Sequence, residues 1–263
     1  MTETEKILVE LLRELAEKYS VIGVKAEFET EGTRLEELRR LKEIAFHSGV
    51  SLTLKMGGCT SRRDLFDACA LGVDKLVAPM VETAHALGRF LSNAAEFYPD
   101  ENRSGVRFLI NMETITCARN FDKLMAHSYV KNLHGIVVGR TDLTGSMGLK
   151  SADAVNCDEV YRITEDVAQK AKQKGLDVIV GGKVTTKSKP FLNSLLQKGL
   201  LDRFETRKIV FDAKSALSGD VEKGIQHALA FELAWMKYKR DYYSAIAHED
   251  ASRIADLEKR MNA

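Results

Sequence analysis

Along most of this chain, short apolar runs rich in β-formers alternate with amphipathic segments that stop at a glycine, about every 25 to 35 residues. Such a rhythm builds βα units around a parallel sheet, because neighbouring parallel strands need a helix-length crossover between them. Seven runs read as strands, at residues 21–28, 52–56, 75–80, 107–113, 135–140, 177–182 and 204–211. Helices are expected over about 33–48, 61–71, 82–98, 158–174 and 187–198, with Thr33 and Glu36 spaced as a capping box and Gly49, Gly72, Gly175 and Gly199 at the stops. The pattern fits a closed barrel or an open doubly wound sheet.

The two ends differ from the middle. Residues 3–18 place Ile7, Leu8, Leu11, Leu12 and Leu15 on one helical face ahead of the first strand. Residues 218–263 contain no proline and read as a long C-terminal helical extension, with Ile254, Leu257 and Met261 at coiled-coil-like spacing. A helix this long is expected to pack on a neighbouring subunit, which predicts a homo-oligomer. The most loop-like stretch, 98–105, is too short for an interdomain linker, so one domain over residues 1–263 is expected.

Charge narrows the function. The 39 Lys and Arg nearly cancel 38 Asp and Glu, for a net charge of +1, and no basic block stands apart from acidic neighbours. Nucleic acid is therefore not an expected partner. No apolar run approaches the roughly 18 residues of a membrane span, and the charged start resembles no signal peptide, so a cytoplasmic protein without membrane contact is expected. Cys59, Cys69, Cys117 and Cys157 are scattered, without the spacing of a zinc site or a disulfide framework.

In a parallel βα protein, binding groups come from the C-terminal strand ends. Those ends carry Lys25, Glu27 and Glu29, then Lys55, Glu113, Arg140 to Asp142, Lys183, and Arg207 with Lys208. Glu113 closes the run FLINME, and Asp142 follows the next strand in GRTDLTGSMG. Two hard carboxylates at one rim suit Mg²⁺ or Mn²⁺, which fill their remaining positions with water and substrate. Plainer roles are a helix-dipole partner for Glu113 and an N-cap for Asp142. Lys55 could bind a substrate anion, form an imine or sit in a structural ion pair, whereas Lys25 and Glu27 share an inward face and read as an ion pair.

Three motifs in order, VAPMVETAHAL, FLINMETITCARN and LHGIVVGRTDLTGSMG, resemble the HpcH/HpaI aldolase and citrate lyase beta-subunit family of the phosphoenolpyruvate/pyruvate barrel superfamily. The resemblance implies a TIM (β/α) barrel in which Glu113 and Asp142 hold the divalent metal. It implies that Glu27 orients water, that Lys55 stands where an arginine usually binds the substrate, and that backbone amides of Gly139, Thr141 and Asp142 hold a carboxylate. The implied activity is metal-dependent carbon–carbon cleavage or aldol addition on a 2-oxoacid such as pyruvate or oxaloacetate. The family also exchanges C-terminal helices between subunits.

The departures are specific. The histidine that follows the glutamate in the aldolase branch is Phe28, the usual proline of the metal loop is Arg140, and the family's first strand is missing. Either the barrel lacks that strand or an eighth strand is too short to read, and Arg140 is expected to bring a new cation to the rim beside Lys55 to meet the substrate's anionic groups. Acyl-CoA lyase, hydrolase or decarboxylase chemistry on the same site, and a degenerate barrel that binds a 2-oxoacid or a protein without turnover, stay open as alternatives.

Overall fold

The computed structural model of the protein describes residues 1–98, 105–151 and 153–262. Helix α1 (Glu3–Tyr19) leads into β1 (Val21–Glu27), and the chain then alternates through α2 (Leu35–His47), β2 (Ser51–Lys55), α3 (Arg62–Leu71), β3 (Lys75–Ala78) and α4 (Ala84–Phe97). It continues through β4 (Arg107–Met112), α5 (Ile115–Met125), β5 (Gly135–Gly139), α6 (Arg140–Ser146), α7 (Asp158–Gln173), β6 (Asp177–Gly181) and α8 (Lys189–Gln197). The last elements are β7 (Arg203–Glu205), β8 (Ile209–Asp212), α9 (Ala213–Ser218) and α10 (Val221–Met261). Most of the expected loop at 98–105 lies outside the described residues. Among the described residues, no helix is long and apolar enough to cross a membrane.

The eight strands close into a barrel in sequence order. Of the two alternatives that seven runs leave, a missing strand or one too short to read, the second holds. The run 204–211 is two strands, because Thr206 turns the chain back: its N–H donates to the Ile209 carbonyl at 2.9 Å and its Oγ1 accepts from Ile209 N at 3.1 Å. Three residues cannot hold a crossover helix, so β8 runs antiparallel to both β7 and β1. All other neighbouring strands are parallel.

Local starts are set by capping. Thr2 and Glu5 form a reciprocal capping box for α1, with Thr2 N–H donating to Glu5 at 2.6 Å. The box expected from Thr33 and Glu36 is displaced: α2 begins after Arg34, whose N–H donates to Glu37 at 3.3 Å, while Thr33 turns to Glu31. Because β8 descends to the bottom of the barrel, α10 starts there, with Gly224 against Tyr19, and climbs along α1 until Tyr238 donates to Glu5 at 2.7 Å.

The period of two sorts the barrel interior into levels. At the bottom, Asp177 accepts from Arg107 at 3.0 Å and Arg203 at 2.5 Å, and Lys75 donates to Ser51 at 2.6 Å. Above them Val77, Leu109, Val137 and Ile179 form a small apolar plug separate from the main core. Above the plug the lining turns polar again, which is where the site lies.

Lys75 is the costly member of the lower level. Burial, then Arg203, push its ammonium down to about 8. A base with a depressed folded pKa destabilises the native state while both states are protonated, and that cost is relieved as pH rises from about 8 towards the ordinary lysine range. Lys75→Met is expected to raise stability at pH 7 by up to about 3 kcal/mol, with most of the gain gone by pH 10, as read from urea melts at both pH values.

Candidate functional site

A cavity of about 670 Å³ opens at the C-terminal strand ends. Lys25, Glu27, Lys55, Asn111, Glu113, Gly139, Asp142 and Glu205 line its floor and wall. The structure therefore brings together six of the seven residues expected to act, Glu27, Lys55, Glu113, Gly139, Thr141 and Asp142, and leaves out Arg140.

Glu113 sits at the centre, only 1% exposed. Its Oε1 accepts from Met80 N at 2.9 Å, and its Oε2 accepts from Asn111 Nδ2 at 2.6 Å and Lys55 Nζ at 3.1 Å. These donors hold the carboxylate in one orientation and leave a lone pair free on Oε1. Gly139 makes room for it: a Cβ there would lie 2.8 Å from Glu113 Cβ. Asp142, in the first turn of α6, reaches Glu113, and its carboxyl is held above its ordinary range by burial and by the negative charge of Glu113.

Two ammonium groups knit the carboxylates. Lys25 pairs with Glu205 at 2.6 Å and Glu27 at 3.0 Å. Lys55 pairs with Glu29 at 2.6 Å and Glu113 at 3.1 Å. Burial works against both charges, but the carboxylates outweigh it, so both lysines titrate above their ordinary value. Lys55 is thus a fixed cation, which argues against its forming an imine. Glu27 is held low in spite of burial, chiefly by Lys25.

Arg140 corrects an expectation. It brings no cation to the rim, because its side chain turns inward, is 0% exposed and stacks on Phe191 at 4.7 Å. All five donors are used on neutral acceptors: the carbonyls of Gly181, Val155 and Gly182, Asn156 Oδ1 and Ser188 Oγ. Burial lowers its pKa to about 10. The guanidinium is a clamp that fixes the 181–188 loop. Gly182, at φ 81°, closes that loop onto α6, where a Cβ would lie 2.5 Å from Thr141 N. Phe28 is half-buried against the core, so no imidazole follows Glu27.

Asn111 and Glu205 went unnoticed in the sequence. Each lies on the inward face of its strand, Asn111 two residues before Glu113, and a polar side chain at an inward strand position was the available signal.

A closed parallel-type barrel with paired carboxylates at one rim defines a class, and comparison with known proteins narrows it. The model of the HpcH/HpaI aldolase/citrate lyase family matches residues 38–189, more than half of the chain. The chain belongs to that family. Similar solved structures include an HpcH/HpaI aldolase from Desulfitobacterium hafniense DCB-2, at 15% identity over 81% of this chain and 94% of that one, with TM-score 0.58. Citrate synthase SbnG is similar at 16% identity over 89% and 90%, with TM-score 0.62. A family protein from Burkholderia cenocepacia J2315 is similar at 12% over 90% and 99%, with TM-score 0.59. At such identities the likeness is one of fold. No curated protein matches the sequence.

Replacing Arg140 by Met would strand five acceptors around an apolar chain. Arg140→Met is expected to cost about 2–4 kcal/mol in a urea melt and to speed amide exchange across residues 181–188.

Proposed function

We propose that this protein is a divalent-metal-dependent lyase or aldolase that makes or breaks a carbon–carbon bond next to a 2-oxoacid of the pyruvate or oxaloacetate type, by way of an enolate. Membership of an aldolase/lyase family supports the reaction class. The observation that carries the finer reading is the contact of Glu113 with Asp142 beside the Lys55 cation.

The residues present fit a small hard cation. In the linked set Glu205, Lys25, Glu27, Glu29, Lys55, Glu113 and Asp142, five carboxylates face two ammonium groups. Asp142 is the member whose charge is left least compensated, and a cation between it and Glu113 would relieve that repulsion. All donors are oxygens, which suits Mg²⁺ or Mn²⁺. Among the described residues no three His, Cys, Asp or Glu side chains converge as a ready-made metal site, so Glu113 and Asp142 would hold the ion with water and substrate completing its shell. When bound, the ion supplies Lewis acidity that draws charge from the 2-oxo group.

The chain's own groups then divide the work. Lys55, locked by Glu29 and Glu113, presents a permanent positive charge where enolate charge develops. The first-turn amides of α6 would receive the substrate carboxylate, a role supported by Thr141 and Asp142 lining the cavity. Glu27, kept ionised by Lys25, orients water by accepting its proton in a hydrogen bond, and is too weak a base to remove a proton by itself at neutral pH. Phe28, in place of an imidazole, leaves the proton-transfer step to water.

Wild type in D₂O with Mn²⁺ is expected to exchange the methyl protons of pyruvate, followed by NMR. Asp142→Asn is expected to weaken Mn²⁺ binding at least tenfold, and Glu113→Gln to do the same while leaving the circular dichroism spectrum unchanged. Mn²⁺ affinity equal to wild type in both variants would overturn the metal assignment. Metal-dependent oxalate binding without any proton exchange would instead favour a barrel that binds a 2-oxoacid and does not turn it over, the reading that Phe28 supports.

A further inference from the structure

Three cations and one carboxylate meet at the base of the barrel, the end away from the cavity. Lys75, Arg107 and Arg203 open β3, β4 and β7, and Asp177 opens β6. Lys75 and Arg107 are direct neighbours in the β3–β4 ladder. Asp177 reaches Arg107 across β5, where Gly135 has no side chain to stand between them.

The donors at this end outnumber their acceptors. Each arginine uses a single nitrogen on the carboxylate: Nη2 of Arg107 at 3.0 Å and Nη2 of Arg203 at 2.5 Å both converge on Asp177 Oδ2. Among the described residues, the Nε and Nη1 groups of both arginines donate to nothing. Lys75 has one hydrogen-bond partner, the neutral Ser51 Oγ at 2.6 Å, and Ser51 is fixed in turn by donating to the Ile22 carbonyl at 2.9 Å. The nearby carboxylates are engaged with lysines of their own. Asp74 accepts from Lys42 at 2.9 Å and Leu52 N at 2.7 Å, and Asp202 accepts from Lys172 at 2.5 Å and Val178 N at 2.6 Å. Three cations are thus left to one carboxylate, an excess of two positive charges among the described residues. Lys75 feels that excess, since burial and then Arg203 push its ammonium down to about 8 in spite of Asp74 and Asp177.

An anion would relieve this arrangement. Guanidinium groups with unused N–H donors match the oxygens of an oxyanion two at a time. Donors that arrive from β3, β4 and β7 suit oxygens pointing in several directions, as in a tetrahedral anion, better than the flat pair of a carboxylate. Water reaches the place, because the Arg107 side chain is 46% exposed and that of Asp177 26%. The plug of Val77, Leu109, Val137 and Ile179 separates it from the cavity above.

We propose that the base of the barrel binds a phosphate-type dianion, held by Arg107, Arg203 and Lys75 with the Ser51 hydroxyl beside the ammonium. The ligand supplies the negative charge that these cations lack, and it binds independently of the chemistry at the rim.

Calorimetric titration of the full chain with inorganic phosphate, in low-salt buffer at pH 7.5, is expected to show saturable binding that chloride at equal ionic strength does not reproduce. Lys75→Met and Arg107→Gln are each expected to weaken it at least tenfold, with circular dichroism checking that both variants fold. In urea melts, phosphate is expected to stabilise the wild type and to move Lys75→Met far less, so that the variant's advantage in phosphate-free buffer shrinks. Amide shifts in NMR spectra are expected at residues 75, 107 and 203. Glycerol phosphate separates two sources of the same chemistry: binding at least as tight as that of inorganic phosphate supports a phosphomonoester as the ligand, and binding tenfold weaker supports the free ion. Any of four results would overturn the proposal: no saturable binding by the wild type, wild-type affinity in both variants, chloride binding as tightly as phosphate, or shifts at 139–142 without shifts at 75, 107 and 203.

Discussion

Everything at the rim depends on the way the barrel closes. Seven strands run one way, and the gap between the first and the last is filled by a strand folded back through a three-residue turn. The ladder Val24 to Ile209 and Gly23 to Val210, with a register shift between Gly23 and Val21, ties β8 to β1, and Lys25 N–H donates to the Lys208 carbonyl at 2.8 Å. This closure brings Glu205 of β7 to Lys25 of β1 across the intervening strand. An open sheet would leave that lysine and Glu27 at an edge, without the buried partners that hold their charges.

The interior is layered by polarity. Ionic groups fill the base, four aliphatic side chains form a slab above it, and the carboxylates and ammonium groups of the site rest on that slab. The slab shields the upper set from water below and so strengthens each Coulomb interaction within it. This is why Lys25 and Lys55 hold their protons tightly although burial opposes their charge, and why the second carboxyl of the Glu113–Asp142 contact is reluctant to ionise. The same set of side chains both fixes geometry and leaves an excess of negative charge at one spot.

Much of this was legible in the residues. The strands from 21 to 182 follow from apolar runs bounded by helices and glycines, and the adjacency of Glu113 and Asp142 follows from consecutive βα units. The β7–β8 turn did not announce itself, since Thr206, Arg207 and Lys208 include no glycine, proline or asparagine and the flanking residues read as one continuous β-rich run. Arg140 was misjudged for a different reason. A charged residue just after a strand is usually aimed at the rim, and nothing local signals acceptors supplied by Val155, Asn156, Gly181, Gly182 and Ser188. Long-range pairing of that kind is written in the fold.

The reversed strand also decides how the chain leaves the barrel. An eighth strand running with the others would release the chain at the mouth, and any helix that followed would have to travel back down the outer wall. Here the chain is released at the base, its last helix ascends the full height beside α1, and its surplus length emerges on the same side as the cavity. One inverted strand thereby turns a terminal helix from an outer buttress into a mast standing beside the entrance.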